Sequence, residues 1–335
     1  MTSLVIQTAF LGDVVLTTPL LEALARRHGP VDVVTTSAAA PLLETHQAVR
    51  RVFPYDKRGK DRGLRRLFGL AGTLRAERYE AAYLPHRSLR SAALAWLAGI
   101  GTRVGFEDGW RLLYTHVHRR NVGDHEIDRL LALADVAPSG ARPSLTVTPA
   151  DRTLVGAFLS AHAIQPPFVA LAPGSIWGTK RWPCYAELAQ RLAARTAIVV
   201  VGGPEDAALA SDITEAVGRG GGRAVSGCAS LTLRQSAEVI HCAAVLVTND
   251  SAPLHFAQAV GTPTVAVFGS TVPAFGFGPR GPRDRVVELQ GLPCRPCSAH
   301  GPATCPLGHH LCMKSLTVED VLLAIEETGA LHRRN

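Results

Sequence analysis

Three loops of this sequence place residues with chemical potential directly after apolar runs that read as strands. In Thr248–Ser270, TNDSAPLHFAQAVGTPTVAVFGS, the preceding run AAVLV at 243–247 suits a strand buried on both faces. Asn249-Asp250-Ser251 then supplies cap-type residues ahead of Pro253. A helix starting there leaves backbone N–H groups over, and with its dipole behind them these donors favour phosphate outside the strand's carboxyl end. Alone, the stretch reads first as an ordinary capped strand-to-helix turn. Pro173–Pro183, PGSIWGTKRWP, follows another strand with hydroxyls, glycines and two adjacent cations, of which Lys180 would neutralise a diphosphate. Gly202-Gly203-Pro204-Glu205-Asp206 ends a third strand, where a carboxylate can accept hydrogen bonds from ribose hydroxyls. Singly, Lys180 reads as a surface cation and Asp206 as a helix-start acid. At successive strand ends, with Asp250, Ser251 and Ala252 as a third wall, they point to a nucleotide-diphosphate site.

A fourth loop has the opposite character. After the strand Leu4-Val5-Ile6, the segment Thr8–Leu16 carries one glycine, Gly12, followed by Asp13. A dinucleotide-binding loop needs glycines where backbone meets pyrophosphate, and a carboxylate there would repel it. Asp13 near a helix N-terminus is favoured in its ionised form, which suits a general base toward an attacking hydroxyl. Its position is also that of a plain helix cap. His86-Arg87-Ser88-Leu89-Arg90-Ser91 opens a helix at a later strand end, where Arg87, Ser88 and Arg90 would face the same cleft as Asp13. Arg103, Asp124, His125 and Asp128 lie in later connections, where a polar cluster more often solvates the surface than binds substrate.

The elements that must position these loops alternate. VDVVTT (31–36), a helical stretch at 38–46, VRRVFPY (49–55), a helix near Leu64–Arg75 and AAYLP (81–85) predict a parallel sheet in the first half. The helix before the second strand is expected to begin at Thr18-Pro19. The Pro/Ser/Gly-rich stretch Ala137–Arg152 reads as a linker. FVALAPG (168–174), AIVVVGG (197–203), AAVLV (243–247) and TVAVFG (264–269), with helices from about Cys184, Asp206 and Pro253, repeat the pattern. The expected division is residues 1–150, 151–315 and a C-terminal helical segment 316–335, with a cleft between two domains where donor and acceptor would meet.

A chain of 335 residues with 47% hydrophobic content can bury two cores without disulfides. No charged n-region and apolar h-region follow Met1, and no apolar run approaches the ~18–20 residues that span a bilayer, so a soluble cytosolic chain is expected. Its +7 charge is uneven: residues 1–150 hold 20 Lys/Arg against 14 Asp/Glu, and residues 151–335 hold 15 against 14. Between Arg50 and Arg66 eight cations face only Asp56 and Asp61, a surface suited to phosphorylated acceptors or anionic membrane, or simply solvated. Nucleic acid is disfavoured by 6% aromatics and the lack of a binding module.

Four of the seven cysteines cluster as Cys294-x-x-Cys297, Cys305 and Cys312. Four soft ligands in so short a span suit a structural zinc, against the alternative of reduced thiols or two disulfides. Cys184, Cys228 and Cys242 read as core thiols. Gly276–Gly281 spells G-x-G-x-x-G, but it contains proline and precedes a strand-like RDRVVEL, so it reads as a connecting or cleft-lining loop.

The segments TAFLGDVVLTTPLLEAL, APGSIWGTKRWP, VVGGPEDAAL, TNDSAPLHFAQAVGTPTVAVFGST and CRPC…CPLGHHLC together resemble glycosyltransferase family 9, the lipopolysaccharide heptosyltransferases, nearest the ADP-heptose heptosyltransferase II branch. The resemblance implies an α/β GT-B fold, two Rossmann-like domains with parallel sheets facing across a cleft. It implies inverting transfer of heptose from ADP-L-glycero-D-manno-heptose to the inner core of lipopolysaccharide, on the inner face of the cytoplasmic membrane. Asp13 matches the family's catalytic base, Lys180 the donor-phosphate lysine, Ser175 and Ser251-Ala252 the positions around the diphosphate, and Asp250 the donor-site aspartate. Asp206 matches the acidic position near the ribose, with Glu205 directly beside it. Transferases that hold the leaving group with a metal commonly show Asp-x-Asp, and none occurs in this chain, so metal-independent transfer is expected. A transferase for another nucleotide sugar, or a non-catalytic zinc-containing nucleotide-binding module, are the alternatives.

Overall fold

The computed structural model describes residues 2–57 and 59–331. Arg58 of the basic stretch and the tail His332-Arg333-Arg334, expected to fray, lie outside the described residues. The chain divides into two compact units, Met1–Thr146 and Val147–Asn335, with the boundary inside the proline-rich stretch read as a linker.

The first unit holds β1 (Ser3–Gln7), α1 (Leu11–Leu16), α2 (Thr18–His28), β2 (Val31–Thr35), α3 (Ala40–Leu43), β3 (Val49–Pro54), α4 (Leu64–Ala76), β4 (Ala81–Leu84), α5 (Leu89–Leu97), β5 (Thr102–Phe106), β6 (His116–His118) and α6 (Glu126–Ala132). The second holds α7 (Pro149–Ala161), β7 (Phe168–Ala172), α8 (Tyr185–Ala193), β8 (Ala197–Val200), α9 (Ala207–Arg219), β9 (Ala224–Ser226), α10 (Leu233–Cys242), β10 (Val245–Asn249), α11 (Ala252–Val260), β11 (Thr264–Phe268), β12 (Arg285–Glu288), α12 (Leu311–Lys314) and α13 (Val318–Glu327).

Among the described residues each unit has one six-stranded sheet, ordered β3-β2-β1-β4-β5-β6 and β12-β11-β10-β7-β8-β9. Every pair is parallel, with Val5 opposite Val33 and Leu4 opposite Ala82 in one sheet, and Val247 opposite Leu171 in the other. Counted from its own first strand, each sheet has the same winding. The strand order therefore reverses between β1 and β4 and again between β7 and β10. In such sheets the crevice outside the strand carboxyl ends at this reversal is where ligands bind.

Strands covered on both faces by helices must be apolar throughout, and β1, β7, β10 and β11 are buried at every position. The helices show one buried stripe each. On α8, Tyr185, Leu188, Ala189 and Leu192 repeat at i, i+3, i+4 and i+7 and join a core with Val169, Val247 and Val267. Truncating a fully buried ring such as Phe168 or Phe268 to alanine would cost about 3–5 kcal/mol. α13 packs its Val318, Val321, Ala324 and Ile325 into this same second-unit core. No helix among the described residues is long and apolar enough to cross a membrane.

Two local departures bear on the site. The segment read as a loop from Thr8 to Leu16 contains α1, because the Phe10 N–H donates to Asp13 Oδ2 (3.1 Å) and closes a first turn, while Thr17 N–H returns to Asp13 O (3.0 Å). The helical stretch at 38–46 shrinks to α3, after which the imidazole of His46 meets Ser144 Oγ (2.9 Å) and that hydroxyl donates to Glu22 Oε1 (2.5 Å). These bonds tie the start of the linker to the first unit.

Candidate active site

At the reversal of the second sheet, β7 ends at Ala172 and β10 at Asn249, and the side chains of the two loops interlock. Asn249 is fully buried. Its Nδ2 donates to Pro173 O (2.8 Å), and its Oδ1 accepts from the Trp182 N–H (3.1 Å) and from Tyr185 Oη (3.3 Å). One side chain thus clamps the Pro173–Pro183 loop at both ends. The loop in turn delivers Lys180, which is only 9% exposed, so the surface-cation reading fails. Its Nζ donates to Asp250 Oδ2 at 2.6 Å, and the Thr271 hydroxyl donates to the same oxygen at 2.6 Å. An ammonium has three donors, and one of them is committed to Asp250. The pair is buried deeply enough that removing either partner strands a charge, at a cost of about 3–5 kcal/mol.

Ser251 is the N-cap of α11 and makes no side-chain cap bond; Ala252 is the first residue of that helix. Pro253 has no N–H and the Leu254 N–H donates to Ser251 O (3.1 Å), so the donor that this first turn can present to an anion is the Ala252 amide. Ser175 accepts from the Trp177 N–H (3.3 Å) while its carbonyl accepts from Arg181 Nε (2.8 Å). His255, one turn into α11, is buried against Gln258 (3.2 Å), and burial holds its imidazole below the ordinary value of 6.5. It is a neutral group behind the charged pair.

The two adjacent acids separate cleanly. Asp206 is buried, and its Oδ2 accepts from the Gly203 N–H (3.0 Å). Its carboxylate fills the space a side chain at Gly174 would need. Burial raises its carboxyl above the ordinary value; the Gly203 N–H opposes this, Glu205 adds to it, and Arg181 pulls it back. Glu205 is exposed, so it is the acid offered to solvent at the end of β8.

At the reversal of the first sheet, Asp13 stands partly exposed in the first turn of α1, with Oδ2 engaged by Phe10. Opposite, at the end of β4, the His86 imidazole lies 3.3 Å from Thr8 Oγ1, 3.5 Å from Ser91 Oγ and 3.2 Å from Lys57 Nζ. Lys57 also donates to Ser88 Oγ (3.3 Å), which caps α5 by accepting from the Ser91 N–H (3.3 Å). Arg87 is exposed. Arg90 differs from the expectation of a ligand-facing cation: its guanidinium donates to Asp61 O (3.0 Å), Gly63 O (2.5 Å) and the Tyr55 hydroxyl, so it holds the 61–63 turn. Arg120 and Glu126 pair through two 2.9 Å bonds, and Arg120 also reaches Pro85 O (2.9 Å), which braces the turn carrying His86. His125 accepts from the Ile127 N–H (3.2 Å) as a helix cap, and Arg103 donates to Leu113 O (2.6 Å), both structural.

The sequence model of glycosyltransferase family 9 (heptosyltransferase) matches residues 67–306, well over half of the chain. The chain belongs to glycosyltransferase family 9. It is 29% identical over 297 residues to lipooligosaccharide heptosyltransferase 2 of Haemophilus influenzae, covering 82% of this chain and 85% of that one. It is 29% identical over 313 residues to lipopolysaccharide heptosyltransferase 2 of Escherichia coli, covering 85% and 87%. The solved structure of E. coli ADP-heptose lps heptosyltransferase II superposes with a TM-score of 0.80 at 24% identity, covering 98% of both chains. The α/β GT-B fold, two Rossmann-like domains with parallel sheets, and the standing of the chain as a glycosyltransferase enzyme follow.

In this family 9 chain the cysteine-rich segment braces the loops that carry Lys180 and Asp250. Cys297 N–H donates to Ser270 O (2.9 Å), Arg295 Nη2 to Thr271 O (2.8 Å), Thr179 Oγ1 to Pro302 O (2.6 Å), and the His310 ring meets Thr179 O (3.0 Å). Gly301, at φ +78°, sits where a Cβ would come within 2.6 Å of Ser270 Oγ and 3.4 Å of Lys180 Cε. Cys294, Cys297, Cys305 and Cys312 are free thiols. Cys305 Sγ accepts from the His310 N–H (3.4 Å), and such amide bonds hold its thiol below the ordinary value; burial and the neighbouring cysteines push Cys312 up to about 11. The soft donor set suits zinc, yet no group of three or more Cys, His, Asp or Glu among the described residues is arranged to hold a metal ion. The zinc expectation is therefore given no part in the mechanism.

Sequence reading missed Thr271, Thr179, Lys57, Thr8 and Arg120. Thr8 and Thr271 carried a signal, as hydroxyl residues just past the end of a buried strand, and Thr179 and Lys57 lay inside stretches whose hydroxyls and cations stood out.

Proposed function

We propose that this glycosyltransferase transfers L-glycero-D-manno-heptose from ADP-heptose to the inner core of lipopolysaccharide, with inversion and without a metal ion. The observation that carries the donor half is the buried Lys180, held 2.6 Å from Asp250 at the sheet reversal beside the start of α11. The ammonium and the Ala252 amide take up the diphosphate charge that develops as the anomeric bond breaks, the task a divalent ion performs elsewhere. Asp250 is then a positioning residue that aims Lys180, with Thr271 fixing its second contact. Ser175 lines the diphosphate, and Glu205, rather than the capping Asp206, meets the ribose.

In the first unit, Asp13 takes the proton of the acceptor hydroxyl as it attacks the anomeric carbon from the face opposite the leaving group. The hydroxyl oxygen bonds to that carbon, ADP departs, and the single displacement inverts the centre. Arg87, Ser88 and the Lys57–His86 cluster recognise the acceptor, lipid A carrying core sugars, at the inner face of the cytoplasmic membrane. Nucleic acid has no role.

The donor assignment is tested by calorimetric titration with ADP, UDP and GDP, with EDTA and then with magnesium. Preferential ADP binding unaffected by EDTA is the expected result. Preference for UDP or GDP would move the enzyme to another nucleotide sugar, and absence of all binding would remove the donor site.

A further inference from the structure

The basic stretch of the first unit looks different once its partners are known. Arg50 is spent on buried Asp32 through bonds of 2.9 and 2.7 Å, and Arg51 on Glu77 (2.8 Å). Lys57 faces His86 and Ser88. Lys60, Arg62, Arg65 and Arg66 are exposed around the start of α4.

Between these cations two large apolar side chains are uncovered. Helix α4 docks through Leu67, Ala71 and Leu74, which are buried in the first-unit core. Leu64 and Phe68, one turn apart beside that stripe, are 68% and 56% exposed. The rest of the outer face is Gly69, Gly72, Thr73, Arg75 and Ala76, and α4 carries no acidic residue. Arg90, through its bond to Gly63 O, holds the first turn of α5 next to that of α4, where Leu89 is 49% exposed. An ordinary solvated helix face mixes charges of both signs and hides its leucines; this one does neither.

We propose that the first turn of α4, Leu64 and Phe68 flanked by Lys60, Arg62, Arg65 and Arg66, docks the protein onto an anionic lipid surface. An apolar pair flanked by four exposed cations, with Asp61 between them turned to the Asp56 N–H (2.8 Å), fits the boundary between acyl chains and acidic headgroups, where side-chain burial and electrostatic attraction add. A second copy of the chain fits less well, because a two-fold contact through this face would set the cations of one copy against those of the other. The α4 face lies at the carboxyl end of β3, the same end of the parallel sheet as Asp13 and His86. The inference stands on exposure and charge, so it holds or falls apart from the sugar that is transferred.

The test is flotation of the full-length protein with vesicles of phosphatidylcholine alone or with phosphatidylglycerol, at low and high salt. Wild type is expected to float only with phosphatidylglycerol and to be released by salt. The double variants Leu64→Ser/Phe68→Ser and Arg65→Gln/Arg66→Gln should each reduce the bound fraction by roughly ten-fold or more while ADP affinity and thermal midpoint stay at wild-type values. No flotation, equal binding to both vesicle types, or variants that bind like wild type with these controls intact would overturn the proposal. So would a wild-type dimer in sedimentation velocity that Leu64→Ser/Phe68→Ser turns into monomer. Should a variant fail the folding control, Phe68→Ala alone, on a side chain outside the core, repeats the measurement.

Discussion

Lys180 and Asp250 show how far a residue's role depends on what lies behind it. A lysine in a loop is ordinarily a solvated cation, but Asn249 clamps the loop at Pro173 and Trp182, and the ammonium arrives buried against a carboxylate. Lys180→Ala should therefore do two things. It should lower stability by about 3–5 kcal/mol in denaturant unfolding, since Asp250 is left buried without its cation, and it should sharply weaken ADP binding. Asp250→Asn, which keeps a hydrogen-bond acceptor for Thr271, should impair the donor side with a smaller loss of stability. If Lys180→Ala unfolded like wild type, the pair would be a solvent-screened contact rather than the structural and binding centre described above. Gly174 offers a second test: a methyl group there would collide with the Asp206 carboxylate, so Gly174→Ala should destabilise by about 1–3 kcal/mol and displace the β8 turn, read as a lower thermal midpoint with weaker ADP binding.

At the scale of elements, the cysteine-rich segment acts as a strap across the loops that carry Lys180 and Asp250. Its bonds reach Ser270, Thr271 and Thr179, the residues on either side of the Lys180–Asp250 pair. His310→Ala should raise the KM for the donor several-fold and leave the KM for the acceptor unchanged; equal effects on both would argue against a local strap. The elements themselves were unevenly legible. Fully buried strands such as β1, β7, β10 and β11 announced themselves as continuous apolar runs, because both faces are covered. β5, β6 and β9 did not. β6 is His116–His118 with two exposed positions and β9 is three residues long, so neither carries enough pattern to separate it from loop. Asp13 was legible as a residue but not as part of α1, since its own side chain, by capping Phe10, makes the helix that a one-glycine loop concealed. The contacts of Arg90 were hidden for the opposite reason: its partners, Asp61 O and Gly63 O, are backbone carbonyls, and sequence gives no sign of which carbonyls a guanidinium will find.

For the whole molecule, buried histidines set the response to acid. Burial holds both His46 and His255 below 6.5, with Glu22 partly opposing this at His46. The unfolded chain therefore binds more protons than the folded one as pH falls past 6.5, so the stability they contribute is complete above that value and is lost toward the lower folded values. Asp206, raised by burial, works in the other direction at more acidic pH, where protonating it favours the folded chain. The thermal midpoint should thus fall on acidification through 6.5, and His46→Gln should flatten that slope; a midpoint that rose over the same range would contradict the assignment.

The proposed mechanism divides the labour between the two sheet reversals, donor charge on one unit and proton removal on the other, and Asp13 is where that proposal is most exposed to test. The measurement is kcat for heptosyl transfer and the Kd for ADP, taken side by side for wild type and Asp13→Asn in EDTA. Turnover should drop roughly 10²–10⁴-fold, the range of a lost general base, while ADP binds as to wild type. An Asp13→Asn enzyme that turned over normally would show that Asp13 is only the cap of α1, and one that lost ADP affinity in step with turnover would place it in the donor site instead.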